Sequence, residues 1–378
     1  MCAINSWNNK KKGERMGKGY LKRYNDFFQD TMIWVDSMVP ENISYGIKQG
    51  LLGVTTSPTV TPDAIEAEPE IWKPAFRKKW EENPDWNQFE ILWECMYDFA
   101  KERAKMLLPI YKDDKMDGRF CIQGNVYDFM NAEKIINQSK RIYSLGKNFI
   151  MKIPTTEAGL RAMEEIVYEG HSVMATATSS VAQVLAAGLA LTKGLERREK
   201  EGKDNKGIVV SCAMQLGLPE SCCKGYAKQN HVQITSEALE YSAIAVGKKA
   251  YSLLLEKYPR VVFVLSNFAK EEHWREFLGG RLIMTMPMDY LETLDNTDPQ
   301  KLEAKIEIPV NEIYTEELCE KISFYNKMFR EDGMKPEEFS GSEGFCRTVN
   351  LFMDIYETGL MAVRTVMLPN PYKDESRY

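Results

Sequence analysis

Histidine is scarce in this chain, with residues only at His171, His231 and His273, and none of the eight cysteines forms a C-x-x-C pair. Zinc sites draw on local His and Cys pairs, so no metal site is expected, and nothing else in the composition calls for a cofactor. The scattered thiols at positions 2, 95, 121, 212, 222, 223, 319 and 346 read as small buried apolar groups of a reducing compartment. Cations are in deficit, 49 Lys and Arg against 55 Asp and Glu, for a net charge of −6 and a pI near 5.5. A phosphate backbone needs clustered Lys and Arg, so nucleic acid is not an expected partner. No apolar run approaches a transmembrane length, and the short basic run in the opening MCAINSWNNKKKGERMGKGY is not followed by an apolar stretch. It therefore reads as neither signal peptide nor membrane anchor. Glycine pairs such as Gly217 and Gly225 lack the strand–turn–helix setting of a nucleotide-binding loop. These exclusions leave a soluble, cytoplasmic protein that handles small molecules, with homo-oligomerisation left open.

Apolar residues make up 44% of the chain and charged residues 28%, ample for a core. Short apolar runs alternate with helical patterns: Met32–Asp36, Leu51–Thr55, Arg119–Gln123, Asn148–Ile153, Ser172–Thr176, Gly207–Cys212, Val261–Ser266 and Arg281–Met286. Short apolar strands interleaved with helices imply a parallel sheet covered by helices, and a count of eight favours a closed (β/α)8 barrel. One unit is legible in detail. Phe149–Ile153 is a buried strand that Pro154 stops, and Thr155 or Thr156 caps a helix with its apolar face on Leu160, Met163, Ile166 and Val167. Gly170 is placed to end that helix. On this reading residues 1–30 are an N-terminal leader, 31–296 the barrel and 297–378 a C-terminal helical extension packed on it. Residues 61–118, with a long amphipathic helix near Asn87–Leu108, enlarge the second crossover.

Barrel active sites lie where strands end, at the C-terminal face. The polar residues closing the apolar runs are Asp36, Thr55 with Thr56 and Ser57, Gln123 with Asn125, Lys152, Thr176 with Thr178, Ser211, and Ser266 with Asn267. Lys152 is the exception among them, an amine in a buried strand. Burial disfavours the ammonium, and only a neutral amine attacks a carbonyl to form a Schiff base. The plainer alternative is a lysine paired with Asp36 or with a helix end for structural reasons. A buried amine and a carboxylate at one barrel mouth also make a nucleophile with an acid/base partner.

Gly53-Val54-Thr55-Thr56-Ser57-Pro58-Thr59 resembles the G-V-T-T-N-P-[ST] signature that follows the second strand of transaldolases. Lys152-Ile153-Pro154-Thr155-Thr156-Glu157-Ala158-Gly159 resembles the segment of their Schiff-base lysine. Val173–Ala177 followed by Ala182-Gln183 is similar to their fifth strand and helix, and Ile283–Asp289 to the eighth strand of the small fructose-6-phosphate aldolase branch. The tail around Glu331–Met334 and Pro336–Phe339 is like that of longer bacterial transaldolases. The resemblance runs in order over residues 31–340.

That resemblance implies a transaldolase-type enzyme that cleaves or transfers a dihydroxyacetone unit of a ketose or ketose phosphate. It implies Lys152 as the Schiff-base lysine, Asp36 as acid/base, Gln123 at the third-strand catalytic place and Thr176 as the fifth-strand threonine that helps hold a catalytic water. Gln123 stands where transaldolases carry glutamate and the aldolase branch glutamine. Thr55, Ser57, Asn125, Ser211 and Ser266 fall at substrate-binding places. The departures are Ser57 for asparagine, Met174 for the fifth-strand asparagine, and Ala213 where family members place Phe or Tyr. Leu216 and Phe268 stand near the places of phosphate-binding arginines. Either Lys224 or Lys228 in the Glu220–Asn230 insertion meets the phosphate, or the substrate carries none. The rival functions are a lyase acting on an unphosphorylated or unusual ketose, and a non-catalytic sugar-binding barrel.

Overall fold

The computed structural model describes residues 17–57 and 60–368. Eight parallel strands close into a barrel in sequence order: β1 (Thr31–Asp36), β2 (Gly53–Thr55), β3 (Arg119–Gln123), β4 (Phe149–Pro154), β5 (Val173–Thr178), β6 (Val210–Gln215), β7 (Val261–Ser266) and β8 (Leu282–Met286). The chain is thus a (β/α)8 barrel. The helices are α1 (Tyr24–Phe27), α2 (Pro40–Lys48), α3 (Val60–Ala67), α4 (Pro69–Glu82), α5 (Gln88–Met106), α6 (Ala132–Tyr143), α7 (Glu157–Tyr168) and α8 (Val181–Lys200). Then come α9 (Gly217–Gln229), α10 (Ser236–Lys257), α11 (Glu272–Arg275), α12 (Met288–Asn296), α13 (Glu312–Lys321), α14 (Tyr325–Phe329) and α15 (Glu343–Met367).

Strand alternation divides the apolar residues into two layers. Trp34, Cys121, Ile150, Met174, Ala213, Val264 and Ile283 form the small cluster inside the barrel, whereas Val35, Val54, Ile122, Ile153 and Ala175 join the larger core beneath the helices. Trp34 fills much of the interior. Gly53 opposes it, and an added Cβ there would stand 2.6 Å from Trp34 Cδ2, so only glycine fits. Above this apolar floor the same inward positions turn polar, with Asp36, Thr55, Gln123, Lys152, Thr176 and Thr285 following two residues after floor residues or, for Thr55, after Gly53.

The unit around β4 follows its sequence closely. Thr156 caps α7 by accepting from the Gly159 amide at 2.9 Å, and Gly170 ends the turn at φ +102°. Strand β6 does not. The expected run Gly207–Cys212 is displaced three residues onward, because Ser211 is a tolerated inward side chain within the strand, not its end. The strand continues through Ala213 and Met214 to Gln215. The long helix expected near Asn87–Leu108 is α5, with Asn87 and Glu90 forming a reciprocal capping box. No helix among the described residues is long and apolar enough to cross a membrane.

The C-terminal helix α15 packs against α3, α4, α5, α9 and β5. Its first turns lie over the barrel mouth: Phe345 and Val349 cluster with Ala177 at the end of β5, and Phe345 meets Phe129 with ring centroids 5.7 Å apart. Gly344 is pressed on Ser179, leaving no room for a side chain. Thr348 donates to Gln215 at 2.7 Å, and so ties the helix to the end of β6.

Candidate active site

Lys152 occupies the fourth position of β4, level with Gln123 on β3 and Met174 on β5. It is 4% exposed, and its ammonium donates to the Thr56 carbonyl at 3.3 Å. It forms no ion pair among the described residues. The structural alternative of a direct Lys152–Asp36 bridge is therefore not what the fold contains. Asp36 ends β1 and takes its hydrogen bond from Thr55 at 2.8 Å, while Thr55 also meets the hydroxyl of Thr285 on β8. Burial raises the Asp36 carboxyl above the usual carboxylate range, against the opposing pull of the Lys152 charge and the Thr55 hydrogen bond. The two groups share one electrostatic environment without touching. That leaves the amine without an ion-pair partner among the described residues.

Gln123 ends β3 at 3% exposure. Its Nε2 donates weakly to the carbonyls of Gly124 and Lys152, both at 3.4 Å, while its Oε1 has no hydrogen-bond partner among the described residues. Thr176 on β5 is buried, and its carbonyl accepts from the Thr155 amide and hydroxyl at 2.9 and 3.0 Å. Just beyond it the pairing with β6 slips, and Ala177 takes φ +54°. Ser57 follows β2 at the mouth and is buried.

Two other expected contacts, Asn125 and Ser211, lie differently. Asn125 is occupied as a cap: its side chain accepts from the Tyr127 amide at 3.2 Å and donates to Asp128 at 2.6 Å. Ser211 lies two pairs of residues below the end of β6, buried, with its hydroxyl unpaired among the described residues. Ser266 does end β7, half-buried, beside Asn267 at φ +59°. Asn267 binds the start of α9 instead, accepting from the Leu218 amide at 2.8 Å.

The distal end offers few free cations. Leu216 is fully buried in the core, and Phe268 packs on Tyr290. Lys224 pairs with Glu220 at 2.6 Å, and the same carboxylate takes Lys270 at 2.9 Å and His273 at 2.7 Å. Although burial alone would raise it, these three partners hold the Glu220 carboxyl down at about 2. Glu220 thus shares one negative charge between Lys224 and Lys270.

Four contributors were not singled out from the sequence. Thr285 reaches the Asp36–Thr55 pair from β8, and its place two residues beyond the inward Ile283 was the available signal. Trp93 and Met96 on α5 and Tyr356 on α15 line a cavity of about 10 Å³ together with Thr56, Ser57, Gln123, Gly124 and Val126. Trp93 packs on Tyr97 and Tyr356 and also lines this cavity. A larger groove of about 430 Å³, lined by Lys73, Pro74, Arg77, Thr365 and Val366, holds none of the expected site residues. No group of three or more His, Cys, Asp or Glu side chains suited to a metal ion occurs among the described residues.

The family model for transaldolase/fructose-6-phosphate aldolase matches residues 33–335. A protein named Transaldolase 2 from a Nostoc species is 30% identical over 187 residues, covering 46% of this chain and 47% of the relative. Another Transaldolase 2, from Nostoc punctiforme, is 29% identical over 271 residues, 65% of this chain and 66% of the relative. A Transaldolase from Trichodesmium erythraeum is 25% identical over 249 residues, 61% and 63% respectively. The matched stretches thus span between about half and two thirds of these relatives' lengths. The family match covers every barrel strand except the first two residues of β1, and with it all the polar positions that crown the barrel floor, so the chain belongs to the transaldolase/fructose-6-phosphate aldolase family.

Proposed function

We propose that the protein is a transaldolase-like aldolase of the cytoplasm that handles the dihydroxyacetone unit of a ketose through a Schiff base on Lys152. The observation that carries this reading is the buried amine of Lys152, with no ion-pair partner among the described residues, near the half-buried carboxyl of Asp36. In this chemistry the neutral amine adds to the ketose carbonyl, and the carbonyl oxygen leaves as water after gaining protons. The iminium then accepts the electron pair of the breaking carbon–carbon bond as a base removes the proton of the adjacent hydroxyl. Asp36 is the residue assigned to that proton, since a carboxyl raised by burial sits nearer to working pH. The three-carbon unit next passes to an aldehyde, giving transfer, or to a proton, giving cleavage. Thr176 is assigned to the water that adds and leaves, Gln123 to a reacting oxygen, and Thr55, Ser57 and Ser266 to substrate hydroxyls.

Asn125 and Ser211 are weaker candidates for direct contact, because one is consumed as a cap and the other lies low in the barrel. A ketose is larger than the cavity beneath α15, so on this reading the sugar extends beyond it. The test is borohydride trapping against a panel of ketoses with and without phosphate, read by intact mass. The expected result is one adduct on Lys152 in the wild type and none in Lys152→Ala or Lys152→Arg, since guanidinium stays protonated. An adduct on another lysine would overturn the assignment. Saturable ketose binding without any adduct would favour the non-catalytic sugar-binding reading.

A further inference from the structure

Three side chains around the cavity beside Thr56 share one property. Gln123 Oε1, Trp93 Nε1 and Tyr356 Oη are buried and have no hydrogen-bond partner among the described residues. They come from β3, from α5 in the enlarged second crossover, and from the C-terminal helix α15. A buried polar atom left unpaired costs on the order of 1–3 kcal/mol, and the three side chains that carry these atoms all line one small cavity. A guest oxygen that both donates and accepts would settle that cost. The cavity volume of about 10 Å³ is close to that of a single oxygen-sized guest.

We infer that Tyr356, with Gln123 and Trp93, forms a one-oxygen subsite that binds a carbonyl or hydroxyl oxygen of the sugar, making the C-terminal helix part of the active site. The donor and acceptor inventory suits such a guest. Trp93 Nε1 donates only, Gln123 Oε1 accepts only, and the Tyr356 phenol does either. A sugar hydroxyl can give its proton to Gln123 and receive one from Trp93 or Tyr356. The phenol stays protonated throughout, because burial raises Tyr356 well above the ordinary tyrosine range, and nearby Tyr97, Tyr127, Asp128 and Glu357 push in the same direction. No cation is required, which fits an uncharged oxygen and not a phosphate.

Packing holds Tyr356 in place without using its hydroxyl. Its ring lies 5.8 Å from Phe89, 5.5 Å from Tyr127 and 6.2 Å from Trp93. The residue is 3% exposed. Nothing in these aromatic contacts needs the oxygen. A phenylalanine would pack equally well and remove an unpaired polar atom, so the hydroxyl is best explained by what it binds.

The inference rests on the Schiff-base reading for its ligand, and the test separates the two. Tyr356→Phe and Trp93→Phe are compared with wild type for borohydride adducts with dihydroxyacetone, fructose and fructose 6-phosphate, for kcat/KM, and for thermal stability without sugar. The expected Tyr356→Phe protein is folded and at least as stable as wild type. It still forms the Lys152 adduct, and its kcat/KM falls roughly ten- to hundredfold, the range for one lost hydrogen bond in a desolvated site. A kcat/KM within twofold of wild type, or a loss of activity that merely follows a loss of stability, overturns the inference. If wild type forms no adduct with any sugar, the readout is sugar-induced stabilisation of the intact protein. Stabilisation abolished by Tyr356→Phe then supports the subsite while the Schiff base fails, and equal stabilisation of both proteins sinks the subsite as well.

Discussion

Removing the phosphate from a ketose should cost this protein little. A phosphate dianion clamped by two arginines gains two charged hydrogen bonds, each worth about 1.5–3 kcal/mol, or roughly a hundred- to ten-thousandfold in kcat/KM together. Here Leu216 is sealed in the core and Phe268 stacks on Tyr290, so neither contributes a charge. Lys224 could contribute only by leaving Glu220, its partner at 2.6 Å, and would forfeit one charged contact to make another. Lys270 is held by the same carboxylate and by the Glu240 carbonyl at 2.7 Å. The expected ratio of kcat/KM for fructose 6-phosphate over fructose is therefore modest, with retro-aldol products followed by a coupled assay. Lys224→Ala should leave that ratio unchanged, whereas Phe268→Arg, at a half-buried position, should raise it by about tenfold or more. A wild-type preference for phosphate above roughly a thousandfold would refute the reasoning. If that preference then collapsed in Lys224→Ala or Lys228→Ala, the phosphate site would lie on α9.

Asp36→Asn should abolish turnover yet stabilise the fold at neutral pH. Burial raises the folded-state carboxyl above its unfolded value, so its contribution to stability is intact below the ordinary carboxylate range and is lost as pH rises through the folded value. The variant's advantage in denaturant titrations should accordingly be absent in acid and grow upward from there; an advantage that shrinks with rising pH would contradict this. Arg103→Ala breaks the buried pair with Glu68, whose contact is 2.6 Å with side chains 7% and 10% exposed, and leaves a carboxylate alone in the core. A loss of about 3–5 kcal/mol in unfolding free energy is expected, against much less for Lys105→Ala in its exposed pair with Glu102. Chelation by EDTA should leave any turnover unchanged, and turnover lost to EDTA and restored by zinc or magnesium would point to a metal-dependent aldolase instead.

The barrel was legible in the sequence because each strand is short, apolar and bounded by polar or breaking residues, signals that depend on neighbours in the chain. Lys152 was legible for the same reason, as a charge placed where local patterning demands an apolar side chain. The displacement of β6 was not, since an inward Ser211 inside a strand looks like a strand end until pairing with Val262 fixes the register. The capping role of Asn125 was likewise hidden, because asparagine after a strand suits a turn and a ligand equally.

What the sequence determined alone, then, was the alternation of strands and helices, the polar crown of the barrel and the identity of its amine. Which surface covers that crown was decided only in three dimensions. Tyr356 sits on the apolar face of a long helix, indistinguishable by periodicity from Phe352 or Leu360. It lines one cavity with Gln123, more than two hundred residues earlier, because the start of α15 lies over the barrel mouth. Helical periodicity records that a face is buried. It carries no record of what the face is buried against, and a hydroxyl on that face acquires its meaning from the opposing surface.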